Sequence, residues 1–447
     1  MHKKFNFGTD GIRGNANQYP FLDKTLNHLG MAIAKWSIKK YKKQNPKVLI
    51  GHDTRISATK IKNAITKGLL NFPLNVVDGQ TLPTPAVCKL IQSTKGFNFG
   101  IIISASHNSY QDNGIKLFDA KKNKLNKVDE ELIIKLFQEI ESTNPEIKTS
   151  QESKQEIWNK AGEEYEREIL SFFEPGLLKG LKIVLDCANG ATFNVAPSIF
   201  KHLGAQIVTI CINPDGKNIN KNCGALHLEK LQKTVVEQNA DFGFAFDGDG
   251  DRVIAVTKNG HVKDGDDILA LLTNHPKFVN LKTVIGTVMT NLGFQNLLEK
   301  NNKSLIRTTV GDKFVAEKLE KNNLLLGGES CGHIIMKDYM NTGDGIFTAL
   351  RILQTALITK NFDIKTFKKT PQVLMNVPVE HKNDLSALPY KKIIEEHKNL
   401  LKKGRLIVRY SGTENLLRIM AETEKASLAT NITKQLATKL QQALSST

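Results

Sequence analysis

Three aspartates separated by single glycines form the strongest chemical pattern in this sequence. Asp247, Asp249 and Asp251 lie between two apolar, strand-like runs, so their carboxylates are crowded onto one short loop. Such charges repel unless a divalent cation neutralises them, and carboxylate oxygens suit Mg²⁺ or Ca²⁺ better than zinc. An EF-hand would need Gly and Glu where Arg252 and Lys258 stand. The loop therefore predicts Mg²⁺ acting with a phosphate, and a solvated acidic turn is the alternative.

A second group of reactive side chains follows the apolar run of residues 101–103. Ser106 and His107 come at the carboxyl end of this predicted strand, where open α/β sheets place ligands. Ser106 is a candidate nucleophile, and Lys116 follows it closely enough to supply a charge or a proton. By themselves, residues 112–116 are only a turn signal. A hydrolase triad would need a G-x-S-x-G elbow, which the sequence lacks. A polar strand end that caps the next turn is the structural alternative.

Arginine is informative because the chain has only nine, whereas lysine supplies most of the positive charge. Seven of the nine lie in or beside motifs that carry Gly, Asp or Ser: Arg13, Arg55, Arg252, Arg307, Arg405, Arg409 and Arg418. A guanidinium in such a loop suits bidentate recognition of phosphate or carboxylate, although part of the set is expected to form structural ion pairs. The loops 8–14 and 409–414 also offer backbone N–H groups and can cradle an anion.

The composition of the 447 residues indicates a multi-domain globular protein. The net charge is +17, but the lysines are scattered and form no basic stripe interleaved with aromatic residues, so no nucleic-acid partner is expected. No stretch approaches the roughly 18 apolar residues of a membrane span, and no apolar signal region is present. The five cysteines are widely spaced and include no C-x-x-C pair, which fits reduced thiols better than a disulfide framework or a zinc site. We expect a cytoplasmic protein without a membrane partner.

Strand-like and helical segments alternate in the pattern of parallel α/β layers. Three rounds of this pattern predict strands that include residues 47–51, 97–104, 182–186, 206–210 and 283–287. After residue 370 the pattern changes to that of a smaller α+β domain with a C-terminal amphipathic helix. The predicted domains are residues 1–150, 151–251, 252–368 and 369–447.

With these motifs together, the chain resembles the α-D-phosphohexomutase superfamily over essentially its full length. The resemblance is carried by residues 8–14, 103–108, 113–116, 247–252, 327–333 and 409–414. Within the superfamily the chain is most similar to the bacterial phosphoglucosamine branch. Ser104 and Asp312 match that branch, whereas the mannose and glucose branch more often has Thr and His at these positions.

The resemblance implies a heart-shaped fold in which three similar mixed-sheet α/β domains and a C-terminal α+β phosphate-binding domain enclose one cleft. Ser106 would be the phosphoserine, with Arg13, His107 and Lys116 around the transferring group. The ligands of one Mg²⁺ per chain would be Ser106, Asp247, Asp249 and Asp251. The sugar and its second phosphate would be bound by Arg252, Glu329, Ser330, Cys331, His333, Arg409, Ser411, Gly412, Thr413 and Arg418.

The implied reaction interconverts glucosamine 6-phosphate and glucosamine 1-phosphate through a phosphoserine enzyme and a 1,6-bisphosphate, for UDP-N-acetylglucosamine and peptidoglycan precursors. Glucosamine or glucose 1,6-bisphosphate would be the activator, and a homodimer the assembly. A phosphomannomutase or phosphoglucomutase reaction is one alternative, and a non-catalytic sugar-phosphate-binding protein is an alternative of another class. Cys331 replaces the serine expected in the sugar-reading loop, where a thiol is a poorer hydrogen-bond partner. Ser109 and Lys313 also replace an expected proline and arginine.

Overall fold

The structure is a computed structural model that describes residues 6–8, 10–120, 123–411 and 415–445. The chain divides into two compact units, Met1–Thr287 with Thr308–Lys365, and Val288–Arg307 with Thr366–Thr447. Each unit contains a hydrophobic core of its own. Among the described helices, none has both the length and the apolar character that crossing a membrane requires.

The first unit begins with a seven-stranded sheet. Its strands are β1 (Ile12–Asn15), β2 (Lys47–His52), β3 (Asn75–Thr81), β4 (Phe97–Ile103), β5 (Asp112–Asp119), β6 (Asn123–Lys124) and β7 (Lys154–Ile157). The order is β1-β5-β4-β2-β3-β7, with β6 beside β5. β2 pairs in parallel with β3 and β4, as predicted, whereas β5 runs antiparallel to β4 and β1. The helices of this layer are α1 (Asp23–Tyr41), α2 (Ala58–Leu69), α3 (Thr84–Ser93) and α4 (Lys127–Thr143).

Strand β4 is held at the centre of this sheet by apolar side chains on both of its faces. Phe99 contacts Trp36 of α1 edge to face, with ring centroids 5.4 Å apart. Trp36 Nε1 in turn donates a hydrogen bond to Asp129 in the first turn of α4, at 2.9 Å. These contacts fix the carboxyl end of β4, from which the polar residues after Ile103 emerge.

The second layer is a five-stranded sheet. Its strands are β8 (Lys182–Asp186), β9 (Gln206–Ile210), β10 (Phe242–Phe246), β11 (Val253–Thr257) and β12 (Val262–Lys263). β8 pairs in parallel with β9 and β10, and an antiparallel hairpin joins β10 to β11. The helices are α5 (Ala161–Leu170), α6 (Val195–His202) and α7 (Glu229–Glu237), with a 3-10 helix at Gly224–Leu226.

The third round of α/β structure has short strands. They are β13 (Thr283–Thr287), β14 (Ser304–Thr308), β15 (Leu326–Gly328) and β16 (Ile334–Met336). β15 pairs in parallel with β13 and antiparallel with β16. The helices are α8 (Gly265–Leu272), α9 (Leu292–Lys300), α10 (Asp312–Lys321) and α11 (Gly345–Thr359). Helix α8 starts with a capping box between Asp264 and Asp267, which satisfies backbone N–H groups of its first turn.

The C-terminal part of the second unit is an antiparallel sheet covered by helices. It contains β17 (Gln372–Pro378), β18 (Gly404–Tyr410), β19 (Leu416–Thr423), α12 (Tyr390–Asn399) and α13 (Ala426–Ser445). The strand order is β17-β19-β18. Arg405 of β18 pairs with Glu422 of β19 and donates to the backbone carbonyls of Val288 and Thr290, so it joins the segment before α9 to this sheet.

The predicted fold class, three mixed-sheet α/β layers and a smaller α+β domain, is confirmed. One local interpretation is wrong, because residues 112–116 form the first half of β5 and not a turn. Gly114 pairs with Arg13 of β1, and Ile115 pairs with Ile103 of β4. Pairing with strands on both sides overrides the local turn preference of Asn113-Gly114.

Candidate active site

The β10–β11 hairpin turn presents Asp247, Asp249 and Asp251 from one buried loop. One carboxylate oxygen of each lies within 4.8 Å of the others. Burial, and then the charges of Asp251 and Asp249, raise the pKa of Asp247 well above its usual value. Within the described part of the chain, Asp249 Oδ1 and Asp251 Oδ1 are buried and accept no hydrogen bond. Converging carboxylate oxygens with unused lone pairs fit a hard divalent cation.

A close contact between two backbone segments helps to set the position of this loop. Gly248 packs against the turn that follows β8, where Ala191 N–H donates to Gly248 O at 2.8 Å. A Cβ atom added at Gly190 would lie 2.4 Å from the same oxygen. The two segments therefore approach more closely than any side chain would allow.

Ser106 lies just beyond β4 and faces the acidic loop. Its Oγ donates a hydrogen bond to Asp247 Oδ2 at 2.6 Å. His107 Nδ1 lies 3.4 Å from Ser106 Oγ. The backbone φ at Ser106 is +52°, in the left-handed region that is strained for a residue with a side chain. The structure thus brings together the four residues predicted to hold the metal.

Two side chains from outside the Ser106 loop hold its backbone carbonyls. Arg55 Nη2 donates to Ser106 O at 3.1 Å and to Asn108 O at 2.9 Å. Asn220 Nδ2 donates to the same two oxygens, at 2.9 and 3.0 Å. Arg55 also forms a fully buried ion pair with Asp53 at 2.9 Å. Its guanidinium therefore supports the loop, and Arg55 belongs to the part of the arginine set that forms structural ion pairs, as expected for some of its members.

Lys116 brings a buried cation to the carboxylates. Its Nζ lies 2.9 Å from Asp249, 3.5 Å from Asp251 and 3.0 Å from Asp10. Burial alone would lower the pKa of Lys116, but the three carboxylates raise it well above its usual value. Arg13 pairs with Asp10 as well and donates to Ser104 O at 3.3 Å. Both predicted cations therefore lie beside the serine and aspartate loops.

Asp10 and Lys124 were missed by sequence reasoning. Asp10 accepts hydrogen bonds from Lys124 and Arg13, and Lys124 also pairs with Asp312 at the start of α10. Asp10 lies inside the glycine-rich motif 8–14, so its carboxylate between two glycines was a usable signal. Lys124 is one of many lysines, and nothing in its neighbourhood of the sequence sets it apart.

His107 is held in its neutral form. Burial, followed by the charges of Arg252 and Arg13, lowers its pKa to about 4. Arg252 itself donates its backbone N–H to Asp247 at 3.1 Å, and its Nε lies 3.8 Å from Asp251. At neutral pH the imidazole is therefore uncharged and can accept a hydrogen bond from a group near Ser106.

The predicted sugar-reading residues form the β15–β16 turn. Glu329 Oε1 accepts a hydrogen bond from Gly311 N at 2.9 Å. His333 Nδ1 lies 3.6 Å from Asp251, so this turn contacts the acidic loop directly. Ser330 and Cys331 are half-buried between them, and burial raises the pKa of the Cys331 thiol to about 11. The thiol is thus a neutral, weak hydrogen-bonding group in this turn.

The remaining predicted residues lie in the second unit. Arg409 of β18 is directly opposite Arg418 of β19. Burial, and then the charge of Arg418, lower the pKa of Arg409. Ser411 donates its backbone N–H to Leu416 O at 2.8 Å, and Gly412 and Thr413 lie outside the described residues. Two adjacent guanidinium groups are suited to an anion.

Comparison with known proteins supplies the family. The phosphoglucomutase/phosphomannomutase alpha/beta/alpha domains I, II and III match residues 4–144, 163–260 and 264–376, and the C-terminal domain matches residues 374–439. Phosphoglucosamine mutase of Neisseria meningitidis serogroup C is 38% identical, over 98% of this chain and 99% of its own length. That of Syntrophus aciditrophicus is 40% identical, over 96% and 97%. The chain belongs to the phosphoglucosamine mutase family.

Solved structures share the fold of this phosphoglucosamine mutase family member. A phosphoglucomutase/phosphomannomutase family protein of Burkholderia thailandensis superposes with a TM-score of 0.80 at 21% identity, covering 98% of both chains. Aspergillus fumigatus N-acetylphosphoglucosamine mutase, solved with GlcNAc-6P and magnesium, gives 0.67 at 18% identity, covering 99% of this chain and 96% of its own. The family predicted from the motifs is confirmed, and a mutase is by class an isomerase.

Proposed function

We propose that the protein interconverts glucosamine 6-phosphate and glucosamine 1-phosphate, with Ser106 as the phosphoryl carrier. The hydrogen bond of 2.6 Å between Ser106 Oγ and the buried aspartate cluster carries this proposal. A hydroxyl beside three carboxylates suits a phosphoryl group that shares a cation with them. Relatives that match nearly the full length of the chain are named phosphoglucosamine mutase, which supports this sugar over mannose or glucose.

We propose Mg²⁺ as the ion, held by Asp247, Asp249, Asp251 and an oxygen of the phosphoryl group on Ser106. The fit rests on the buried carboxylate oxygens that accept no hydrogen bond within the described ranges. When bound, the ion would offset negative charge on the phosphoryl oxygens during transfer. Lys116 and Arg13 place two further positive charges beside the phosphoryl group on Ser106.

In the first step, O1 of glucosamine 6-phosphate attacks the phosphorus on Ser106, and the bond from phosphorus to Oγ breaks. The neutral imidazole of His107 takes the proton from O1 and passes it to Oγ. The glucosamine 1,6-bisphosphate then turns around within the site. In the second step, Oγ attacks the phosphorus on O6, His107 carries the serine proton to O6, and glucosamine 1-phosphate leaves. Glucosamine or glucose 1,6-bisphosphate serves as the activator.

The sugar is read by the turn that carries Glu329, Ser330, Cys331 and His333, with Arg252 beside it. The phosphate that is not being transferred is bound by Arg409, Ser411, Gly412, Thr413 and Arg418. The predicted domain boundaries, a homodimer and a cytoplasmic location remain part of this proposal.

The test incubates the purified protein with Mg²⁺, a trace of glucose 1,6-bisphosphate and, separately, glucosamine, mannose and glucose 6-phosphates. Each 1-phosphate product is quantified for the wild type, for Ser106→Ala and for Ser142→Ala, an exposed serine of α4. We expect a preference for glucosamine 6-phosphate that only Ser106→Ala abolishes. A preference for mannose or glucose would favour the neighbouring reaction. Binding without turnover would favour the non-catalytic alternative.

A further inference from the structure

Two cysteines that the mutase chemistry does not use lie side by side in the second sheet layer. Cys211 follows β9, and Cys223 immediately precedes the 3-10 helix. Both Sγ atoms lie within 4.8 Å of one another and of an Asp186 carboxylate oxygen. A disulfide needs sulfur atoms about 2 Å apart, so the two side chains must move toward each other to form one.

The two thiols differ in access and in charge. Cys211 is partly exposed, and Lys230 Nζ lies 3.6 Å from its Sγ, whereas Cys223 is buried. The neighbouring Cys223 thiol and the charge of Lys230 lower the pKa of Cys211, and the neighbouring Cys211 thiol, followed by burial, raises the pKa of Cys223. The thiolate is the reactive form of cysteine, so Cys211 has the properties of an attacking thiol and Cys223 those of a resolving thiol.

A metal ion fits this cluster less well than a disulfide. The two carboxylate oxygens of Asp186 already accept backbone N–H groups from Ala188 and Gly224, at 2.9 and 3.0 Å. The ammonium group of Lys230 would repel a cation at the Cys211 sulfur. The cluster is therefore suited to sulfur chemistry.

We propose that Cys211 and Cys223 are a thiol–disulfide site that reacts with low-molecular-weight disulfides of the glutathione class. The Cys211 thiolate attacks one sulfur of the external disulfide, forming a mixed disulfide and releasing one thiolate. Cys223 gives up its proton and attacks Cys211 Sγ, which closes the internal disulfide and releases the second thiolate. The protein pair loses two electrons, and the external disulfide becomes two thiols once it takes up the two protons.

The segment between these cysteines connects the site to Ser106. Asn220 lies within it and donates to the carbonyl oxygens of Ser106 and Asn108. Asn189 Nδ2 donates to Cys223 Sγ at 3.9 Å, and the same side chain holds Asn213 and Asn218 of this segment. Drawing the Cys223 sulfur toward Cys211 removes its contact with Asn189 and shifts the segment that carries Asn220. Oxidation therefore weakens the support of the Ser106 loop, a consequence that rests on the proposed function.

The first experiment measures the chemistry directly on the full-length protein. The reduced protein is equilibrated with mixtures of oxidised and reduced glutathione, alkylated, digested and analysed by mass spectrometry. We expect a Cys211–Cys223 cross-link in the wild type that dithiothreitol removes. In Cys223→Ser or Cys223→Ala, we expect a stable glutathione adduct on Cys211. Cys331→Ser, at a half-buried thiol elsewhere, should leave the cross-link unchanged.

Failure to form the cross-link in the folded protein would overturn the proposal, as would modification of Cys331 in preference to Cys211. The second experiment measures glucosamine 6-phosphate turnover before and after oxidation. We expect a fall of at least threefold that dithiothreitol reverses and that Cys211→Ser lacks, and a similar fall in reduced Asn220→Ala. Cross-linking without a change in turnover would overturn the coupling to Ser106. An inactive reduced wild type would count against the mutase function and leave the cross-linking result intact.

Discussion

Lys116 is buried among Asp10, Asp249 and Asp251, and each of these ion pairs is stronger there than it would be in water. Removing one partner from such a cluster leaves an uncompensated charge, and this charge changes the electrostatic environment of the neighbouring charged side chains. Asp10 is the clearest example, because it pairs with Arg13, Lys116 and Lys124 at once. A substitution one residue away from the reacting atoms should therefore still change catalysis.

The first prediction concerns Lys124, which joins Asp10 to Asp312. Lys124→Gln should lower kcat roughly tenfold, because the negative charge of Asp10 is then less compensated beside Lys116 and Arg13, the two cations proposed to stabilise the transferring group. Steady-state kinetics with glucosamine 6-phosphate measures this effect. Lys127→Gln, at a side chain that is 85% exposed, is the matched control. Equal kcat in the two variants would contradict the role of Lys124.

The second prediction concerns the metal ligands. Asp249→Asn should weaken Mg²⁺ binding at least tenfold, because it removes one charge and one of the buried oxygens that accept no hydrogen bond within the described residues. Competition with paramagnetic Mn²⁺ measures the affinity without the need for turnover. Asp23→Asn, at an exposed position at the start of α1, should bind as the wild type does. Unchanged binding in Asp249→Asn would exclude this loop as the metal site.

Sequence patterns identified the residues that carry the chemistry better than those that hold them. Ser106 and the aspartates belong to distinctive local motifs, and their proximity across two sheet layers was implied by the family resemblance that those motifs carry. Asn220 and Lys124 carry no such local pattern, and only folding brings them to the Ser106 loop and to Asp10. Arg55 proved to be one of the structural arginines, and the sequence could not separate these from the anion binders because a guanidinium alone does not reveal whether its partner is a ligand or a backbone carbonyl.

Helix α11 illustrates how one element is fixed at its start. Asp344 caps the helix by accepting a hydrogen bond from Phe347 N at 2.9 Å, and it also accepts from the hydroxyls of Tyr165 and Tyr339. Burial raises the pKa of Asp344 to about 6, despite these hydrogen bonds. The folded protein therefore retains a proton on Asp344 at a pH where the unfolded chain has released it.

The third prediction follows from this raised pKa. The stability that the retained proton contributes is fully present below the unfolded pKa of 3.8 and is lost as the pH rises through about 6. Asp344→Asn lacks this titration. The thermal midpoint of the wild type should therefore fall relative to that of Asp344→Asn between pH 4 and 6.5. Asp23→Asn should show no such relative change, and a constant difference between wild type and Asp344→Asn would contradict the prediction.

The bounds of strands with a clear apolar pattern were predicted closely. The start of a strand that depends on pairing with neighbouring strands was not. β8 (Lys182–Asp186) and β9 (Gln206–Ile210) have the bounds that their apolar runs indicate. The start of β5 was read as a turn, because Asn113-Gly114 favours a turn until neighbouring strands pair with it on both sides. Local preference therefore failed where long-range hydrogen bonds decide the structure.

The division into two compact units separates the proposed tasks. The first unit carries Ser106 and the acidic loop, and the second carries Arg409 opposite Arg418. The second unit also includes residues 288–307, which sequence patterns assigned to the third α/β domain. Leu292 N–H donates to Glu422 across 130 residues of sequence, a contact that no local pattern indicates.

The fourth prediction uses this separation. Arg409→Ala should raise KM for glucosamine 6-phosphate at least tenfold, because the guanidinium is proposed to bind the phosphate that is not transferred. The affinity for Mn²⁺ should stay the same, because every proposed metal ligand of the protein belongs to the first unit. Arg167→Ala, at an exposed arginine of α5, is the control for both measurements. A change in Mn²⁺ affinity on substitution of Arg409 would contradict the separation.

The contact between Gly190 and Gly248 constrains how this protein can evolve. The acidic loop can lie this close to the turn after β8 because neither Gly190 nor Gly248 has a side chain. A Cβ at Gly190 would collide with a backbone oxygen. A clash with a side chain can be relieved by substituting a smaller residue, but a clash with a backbone oxygen cannot be relieved in this way. In a saturation mutational scan, Gly190 should therefore be as intolerant as the aspartates, although it carries no functional group. Lineages that change the substrate would have to keep this pair of glycines fixed and vary the side chains around it.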